Sequence, residues 1–534
     1  MALFSSGLSA IFFGSPRLDN LRKNWNGVYM ASLIHTASVL GLEAHPVQAE
    51  TDISPGLGAF LIVGLPDTAV QEARERVKSA LKHAGINFPR TRVIINLAPA
   101  DLRKTGTPFD LPIAISIMAA EGLIDEELVK GILFAGELGL DGSIRPISGA
   151  LSFAILAKNS GFHSIILPSE NANEAALIHG LNVYSARYLS EVIDHLKGNT
   201  LPVTPPRNVS DSICQPFQGP DFSAIRGQAQ ARRALEIAAA GGHNILMQGP
   251  PGSGKTLLAR AFPGILPGLT VEEALEVTRI HSIAGLLPND GIISNRPFRS
   301  PHHTASTASL VGGGSIPKPG EISLAHRGVL FLDEFLEFPR AVLESLRQPL
   351  EDGTITVSRA HGTLSFPARV ALVGAMNPCP CGYATDPDRA CTCSAMQLSR
   401  YQKKLSGPLL DRIDLFLEVP KVPTAELTDI AAQEDSASVR SRVQAARDLQ
   451  TARWKSIGCK TNAELGSDHV RRHIDLEPEA KTLLRHAVDT HRLSARSYFR
   501  LLKVSRTIAD LAGEDKIRSL HVAESLNYRH NSST

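Results

Sequence analysis

The sequence predicts a multidomain α/β protein, and three observations carry that expectation. An apolar stretch of strand length, Asn244-Ile-Leu-Met247, runs into the glycine-rich Gly249-Pro250-Pro251-Gly252-Ser253-Gly254-Lys255-Thr256 and then into the helix-forming Leu257-Leu-Ala-Arg-Ala261. Two more apolar runs, Gly328-Val-Leu-Phe-Leu-Asp333-Glu334 and Ala368-Arg-Val-Ala-Leu-Val-Gly-Ala-Met376, are too short for helices and are followed by polar residues, as buried parallel strands are. Upstream, Leu201-Pro-Val-Thr-Pro-Pro-Arg-Asn-Val-Ser-Asp211 is proline-rich and polar, the composition of a linker.

In chain order, residues 1–29 form a polar and aromatic prelude without periodicity, and Met30-Ala-Ser-Leu-Ile reads like a fresh start; a disordered arm and an over-long start both fit. Residues 30–200 mix short strands, Ala59-Phe-Leu-Ile-Val63, Arg92-Val-Ile-Ile-Asn96 and Ser164-Ile-Ile-Leu167, with amphipathic helices such as 69–84, which is an α+β pattern. Residues 201–220 are the linker, 221–425 the strand-and-helix core, and 426–534 a charged, Ala/Leu/Arg-rich helical segment. A chain of 534 residues, 43% hydrophobic and 20% charged, has room for about three domains. No run reaches the roughly 18 apolar residues of a membrane span, and the first residues lack the positive flank of a signal peptide, so a cytoplasmic protein is expected. A formal charge of +2 makes no global basic field, so any nucleic-acid contact must be local, such as a pore lining.

The run from Gly249 to Thr256 between strand and helix is a P-loop. Its glycines let backbone N–H groups close around the phosphates of a nucleotide. The helix N-terminus adds positive dipole, Lys255 reaches the β/γ-phosphates of ATP and the Thr256 hydroxyl ligates Mg²⁺. Asp333 would hold the same Mg²⁺ and Glu334 would polarise the attacking water, against the alternative of a strand that merely ends on solvated acids. Asn377 follows the third strand and would orient that water; helix capping or a turn is its competing role. In Leu405-Ser-Gly-Pro-Leu-Leu-Asp-Arg412-Ile-Asp414, Arg412 either stabilises transition-state charge on a neighbouring subunit's nucleotide or pairs with Asp411 or Asp414.

This order of parts resembles the AAA+ ATPases of the helix-2-insert clade. The resemblance implies a P-loop α/β core with a C-terminal helical lid, and it maps Asn377 to sensor 1, Arg412 to the arginine finger and Arg496, in Leu493-Ser-Ala-Arg496-Ser-Tyr-Phe-Arg500, to sensor 2. Residues 30–200 resemble the proteolytic (S5-type) domain of Lon proteases through Gly106-Thr-Pro108-Phe109-Asp-Leu-Pro112, Ala135-Gly136-Glu137-Leu-Gly-Leu-Asp-Gly142 and Ile144-Arg-Pro146-Ile147-Ser-Gly149. The nucleophilic Ser and basic Lys of such a protease fall on Phe109 and Leu151, which cannot do the chemistry, so the likeness supports no proteolysis.

Together with Val63-Gly-Leu-Pro-Asp67, Asn96-Leu-Ala-Pro-Ala-Asp101, Pro297-Phe-Arg-Ser-Pro-His-His-Thr304 and Gly312-Gly-Gly314, these parts are similar to the ComM family of magnesium-chelatase-like ATPases, from about Met30 to the C-terminus. The resemblance implies a homo-hexameric, ATP-driven DNA helicase that acts on single-stranded and branched DNA and promotes branch migration during homologous recombination in natural transformation. Lys104-Thr-Gly106 departs from the family's Lys-Glu-Gly, and residues 1–29 are extra. Two other readings stand beside it: a chelatase-type motor acting on a partner enzyme, and an ATP-gated scaffold. A chelatase motor subunit normally lacks the Lon-like part; a scaffold would not turn ATP over.

In the clade, two insertions project toward the ring pore. The first, roughly Gly285 to Lys318, presents Arg296, Arg299, His302, His303 and Lys318; the second, Gly353 to Phe366, reads as a hairpin from its Ile355/Val357 alternation and Gly362, and carries Arg359 and His361. Cations there would track phosphates without reading bases. For His302 and His303 a loop hydrogen-bonding role competes with a DNA role, and adjacent rings that point apart would make a poor metal pair. Cys379-Pro-Cys381 and Cys391-Thr-Cys393 can cage a structural Zn²⁺, or remain free thiols; Cys214 and Cys459 are isolated.

Overall fold

The computed structural model describes residues 32–213, 217–314, 317–359, 362–405, 407–423, 433–491 and 493–529. The prelude 1–29, Met30, Cys214 and His361 lie outside them. The chain divides into two compact units, one of residues 1–38, 46–145 and 186–202, the other of 39–45, 146–185 and 203–534.

In the first unit, β-branched and apolar runs build a sheet in the order Ala59–Val63, Arg92–Ala98, Glu43–Ser54, Ser32–Leu40, Ile132–Phe134. Alternation on Arg92–Ala98 buries Val93, Ile95 and Leu97, a half-buried pattern. The helix expected over 69–84 spans Thr68–His83 and buries Val70, Ala73, Val77, Ala80 and Leu81 at helical spacing. Asp67 caps it, accepting from Val70 N at 2.9 Å and from Gly106 N at 3.0 Å, so the Val63-Gly-Leu-Pro-Asp67 turn is tied to Lys104-Thr-Gly106. Gly64 makes this approach possible: a Cβ there would lie 2.2 Å from the Leu97 carbonyl oxygen. Phe109, the residue at the Lon-type serine position, is fully buried in this unit.

The second unit is built around a five-stranded parallel sheet in the order Phe298–Arg299, Val329–Leu332, Ala371–Met376, Ile245–Gln248, Leu415–Glu418. The four-residue strands Ile245–Gln248 and Val329–Leu332 are almost wholly buried, which explains their unbroken hydrophobicity. The third predicted strand begins at Ala371 instead of Ala368, because Ala368 N donates to the Gly353 carbonyl at the base of the hairpin. The hairpin itself forms as its alternation predicts: Thr354–Arg359 pairs antiparallel with Gly362–Pro367, with Ile355 and Val357 facing inward. Leu151, at the Lon-type lysine position, is buried in this unit. Within the expected linker, Val209–Ile213 is helical and Val209 is buried with Leu177 and Leu269.

The C-terminal segment folds into helices Ser436–Trp454, Pro478–His491, Ala495–Leu511 and Ser519–Leu526. Val439, Val443, Ala446, Val504 and Ile508 share a core with Ile245, Met247, Phe262 and Leu417, so the helices complete the packing of the sheet. Among the described residues no helix is long and apolar enough to cross a membrane.

Asn244 closes the N-terminal edge of this sheet. Its Nδ2 donates to the Arg412 carbonyl at 3.0 Å, its Oδ1 accepts from Leu372 N at 2.9 Å, and its N–H donates to the Asp414 carboxylate at 3.1 Å. One side chain thus ties three strands. Asn244→Ala should lower stability by about 1–3 kcal/mol, because the partly buried Leu372 N–H and Arg412 carbonyl lose their side-chain partner. Urea unfolding checks this; an unchanged midpoint would show that the edge is held without Asn244.

Candidate nucleotide-binding site

The P-loop spans the turn between Ile245–Gln248 and the helix Lys255–Ile265. Gly254 takes the left-handed conformation, φ 90°, as the residue that opens the helix, and a Cβ on Gly249 would lie 2.1 Å from the Val419 carbonyl oxygen. Lys255 is buried, its ammonium donating to the carbonyls of Gly249 at 2.7 Å and Pro250 at 2.8 Å. Burial pushes its pKa below the ordinary lysine value, with Asp333 opposing.

The parallel register brings the other predicted residues to the same edge. Gln248 is level with Met376, and Leu332 with Gly374, so Gly249, Asp333 and Asn377 all emerge from the C-terminal ends of adjacent strands. Gly249 N donates to the Met376 carbonyl at 3.2 Å. The Thr256 hydroxyl donates to Asp333 Oδ2 at 3.1 Å, placing the two expected Mg²⁺ ligands side by side. Asp333 Oδ1 accepts from Glu334 N at 2.9 Å, and Glu334 takes a left-handed backbone, φ 50°, which an L-residue adopts at a cost. His303 Nδ1 lies 2.9 Å from Glu334 Oε2. This pairing was not legible in the sequence: no short-range pattern links the two, and only the fold sets the first insertion beside the acidic strand.

Arg412 and Arg496 are placed together and away from that edge. Arg412 lies just before Leu415–Glu418, at the end of the sheet opposite the P-loop. Its guanidinium pairs with Glu351 and donates to the carbonyls of Arg347 at 2.9 Å and Pro408 at 2.7 Å. Arg496 reaches the other oxygen of Glu351 at 3.5 Å. Both arginines, Glu351, Arg369 and Arg500 line a cavity of about 560 Å³, and none of its lining residues belongs to 249–256 or 333–334. Neither Asp411 nor Asp414 is the partner expected for Arg412: Asp411 meets Arg500 at 3.3 Å, and the buried Asp414 faces His243 at 3.4 Å. Arg500 also donates to the Leu410 carbonyl at 2.9 Å, fixing the segment that carries Arg412. Sequence reasoning missed Glu351 and Arg500 as site residues; Arg500 lies one helical turn beyond Arg496, a spacing that could have found it, whereas nothing local marks Glu351.

The insertions depart from expectation in part. Arg296 is not a free loop cation but a largely buried clamp, bonded to the carbonyls of Pro267 and Arg327 at 2.6 Å and to Glu273 at 3.0 Å. Arg299 is held bidentate by Glu321 at 2.6 and 2.7 Å, which neutralises the charge expected to meet phosphate. The rings of His302 and His303 do not point apart; their centroids are 4.1 Å from each other, and His302 Nδ1 is 2.9 Å from the Thr304 hydroxyl. Lys318 is exposed on a two-residue strand paired with Gly312–Gly313. Arg359 ends its strand opposite Gly362, at the tip of the hairpin.

The four clustered cysteines converge as their spacing suggested. Their sulfurs all lie within 4.8 Å of one another, with Cys379–Cys381 at 3.3 Å, Cys381–Cys391 at 3.6 Å and Cys379–Cys391 at 3.7 Å. Cys459 is apart from them, its thiol directed at the Glu464 carbonyl at 3.8 Å.

Residues 221–427 match the family described as Magnesium chelatase, subunit ChlI; residues 49–171 match Subunit ChlI of Mg-chelatase; and residues 433–529 match Magnesium chelatase, subunit ChlI C-terminal. The chain is 45% identical to Competence protein ComM of Haemophilus influenzae over 93% of its own length and 97% of that protein's. It is 44% identical to protein YifB of Escherichia coli over the same shares. The Magnesium-chelatase 67 kDa subunit of Chlorobaculum parvum is 30% identical over 29% of this chain and 23% of that subunit. The chain belongs to the ComM family of magnesium-chelatase-like proteins.

Proposed function

We propose that this protein is an ATP-driven motor on DNA, a hexameric ring that migrates branched junctions during the recombination step of natural transformation. The observation that carries the proposal is the separation of two half-sites on one sheet. Gly249–Thr256, Asp333, Glu334 and Asn377 gather at the C-terminal edge, while Arg412 and Arg496 share Glu351 near the N-terminal edge. A four-residue strand is about 13 Å long, beyond the reach of an arginine side chain. Arg412 and Arg496 therefore act on the nucleotide of the next subunit, and a ring is the closed arrangement in which every half-site finds its complement.

The residues present fit Mg²⁺ and ATP. A hydroxyl and a carboxylate 3.1 Å apart can hold a hydrated Mg²⁺ that screens the β- and γ-phosphates. Lys255, bonded to loop carbonyls, has the ammonium that a phosphate would draw away. Glu334 polarises water, Asn377 orients it, and His303 restrains Glu334 from the side of the first insertion. DNA binding falls to Lys318 and His302 on the first insertion and Arg359 on the second, in a pore reached by both. The region 30–200 is a Lon-like domain serving assembly or DNA contact, since Phe109 and Leu151 are apolar. Reading the chain as a chelatase motor has the family descriptions behind it, but the match to a chelatase subunit stops at a minor part of either chain.

Lys255→Ala should abolish nucleotide binding, whereas Glu334→Gln should keep binding and lower turnover by about a hundredfold or more. Fluorescent-nucleotide titration and phosphate release separate the two; near-normal hydrolysis by Glu334→Gln would remove the assignment.

Mixed rings test the shared site. Arg412→Ala chains combined with Lys255→Ala chains should recover part of the hydrolysis that each lacks alone, and Arg496→Ala should substitute for Arg412→Ala in that experiment. No recovery despite verified co-assembly would refute action across the interface.

Replacing Lys318 and Arg359 together by Ala should lower the ratio of DNA-stimulated to basal hydrolysis. Affinity should fall alike for unrelated DNA sequences, and the salt slope should become shallower by about one for each phosphate that is no longer neutralised. An unchanged slope and unchanged branch migration would put the DNA path elsewhere.

A further inference from the structure

The loop between Asn377 and the helix Ala395–Gln402 has no part in the site just proposed, yet it is folded around four sulfurs and pressed against the P-loop. A tetrahedral ion with zinc–sulfur bonds of about 2.3 Å has sulfur–sulfur edges of about 3.8 Å. The three separations of 3.3, 3.6 and 3.7 Å are close to that edge and far from the roughly 2.05 Å of a disulfide. The Cys393 N–H donates to the Cys391 sulfur at 3.5 Å, the Gly382 N–H closes the turn on the Cys379 carbonyl at 3.0 Å, and further backbone amides lie near Cys379 and Cys381. Such donors orient thiolates and offset their charge in metal sites.

The loop touches the nucleotide site twice. Gly382, φ 86°, lies so close to Pro251 that an added Cβ would be 2.9 Å from both Cγ and Cδ of that proline, and 3.9 Å from Cγ of Asn377. From the other end, the chain leaving Cys393 enters the helix Ala395–Gln402, whose buried Tyr401 has its phenol in the neighbourhood of the Asn377 backbone amide. Asn377 thus lies beside both ends of a loop that meets at the sulfur cluster.

We propose that Cys379, Cys381, Cys391 and Cys393 form a tetrathiolate site for one Zn²⁺ per chain, and that this ion holds Asn377 and Pro251 in register, so that its loss leaves nucleotide binding but disables hydrolysis. The placement half of the proposal rests on the reading of Asn377 as the water-orienting residue. Zn²⁺ suits the site because it takes four thiolates in tetrahedral geometry and carries no redox chemistry of its own. Without the ion, four thiols in one small volume have nothing to keep them together, and a loop rich in Pro, Gly, Asp and Thr has little apolar surface to hold its shape.

The test uses the full-length protein purified without chelator. Elemental analysis should find about one zinc per chain, and growth with Co²⁺ should give the visible bands and sulfur-to-metal charge transfer of a tetrahedral tetrathiolate. Cys381→Ser with Cys391→Ser should lose both signals, keep fluorescent-nucleotide affinity within about threefold, and lower hydrolysis by about tenfold or more. Because that variant can fail to fold, Gly382→Ala is the second arm: it should keep the metal and its spectrum while hydrolysis falls, since it strains the left-handed turn and the packing against Pro251 but leaves all four sulfurs in place. Absence of metal in the wild-type protein, or a cobalt spectrum without sulfur character, overturns the site. A metal-free cysteine variant that hydrolyses at the wild-type rate, with Gly382→Ala likewise unaffected, overturns the coupling. If Asn377→Ala hydrolyses normally while metal loss still stops turnover, the role given to Asn377 fails and the metal site stands.

Discussion

The nucleotide site depends on one constraint, the parallel register of three buried strands. Gln248 opposite Met376 and Leu332 opposite Gly374 bring a glycine-rich turn, an acidic pair and an amide to one edge. Parallel pairing is what makes the edge single: all three chains run the same way, so their C-terminal ends coincide. The register is locked by volume as well as by hydrogen bonds. A Cβ on Gly374 would lie 2.6 Å from Leu246 Cδ1, so any larger residue at that height would have to displace the Leu246 side chain. A slip of one residue would exchange the two faces of the strand and carry Asp333 away from Thr256.

On the proposed reading, the two ends of this sheet carry complementary halves of one site. Asn244 and Asp414 organise the N-terminal edge as the P-loop organises the other, and the segment carrying Arg412 is bonded into that edge through Asn244 and Arg500. The arginine is therefore fixed at the end of the sheet opposite the P-loop. Glu351 gives both Arg412 and Arg496 a counter-charge, so the exposed face of this half-site does not carry two unpaired cations.

Charge in the first insertion is largely committed to structure. Arg296 and Arg299 are neutralised by Glu273 and Glu321, and the carbonyl bonds of Arg296 staple the insertion to the sheet. This rigid base sets His303 against Glu334. Any displacement of the insertion would be felt at that pair, which links the insertion to the residue proposed to activate water.

Much of the site was legible in the sequence because its signals are contiguous. The P-loop from Gly249 to Thr256, the acids after Val329–Leu332, the hairpin around Gly362 and the paired cysteines each declare themselves within a few residues, since backbone turns, strand burial and chelate spacing are local requirements. The partners of those residues were not legible. Glu351 beneath Arg412, His303 beside Glu334, Glu321 on Arg299 and Gly382 against Pro251 come from segments far apart in the chain, and nothing in either segment encodes the other's position. The sequence by itself determined which chemical groups the chain possesses and the short elements that present them. Only the tertiary structure decided which of those groups remain available, because a cation's charge can be neutralised by whatever carboxylate the packing brings to it.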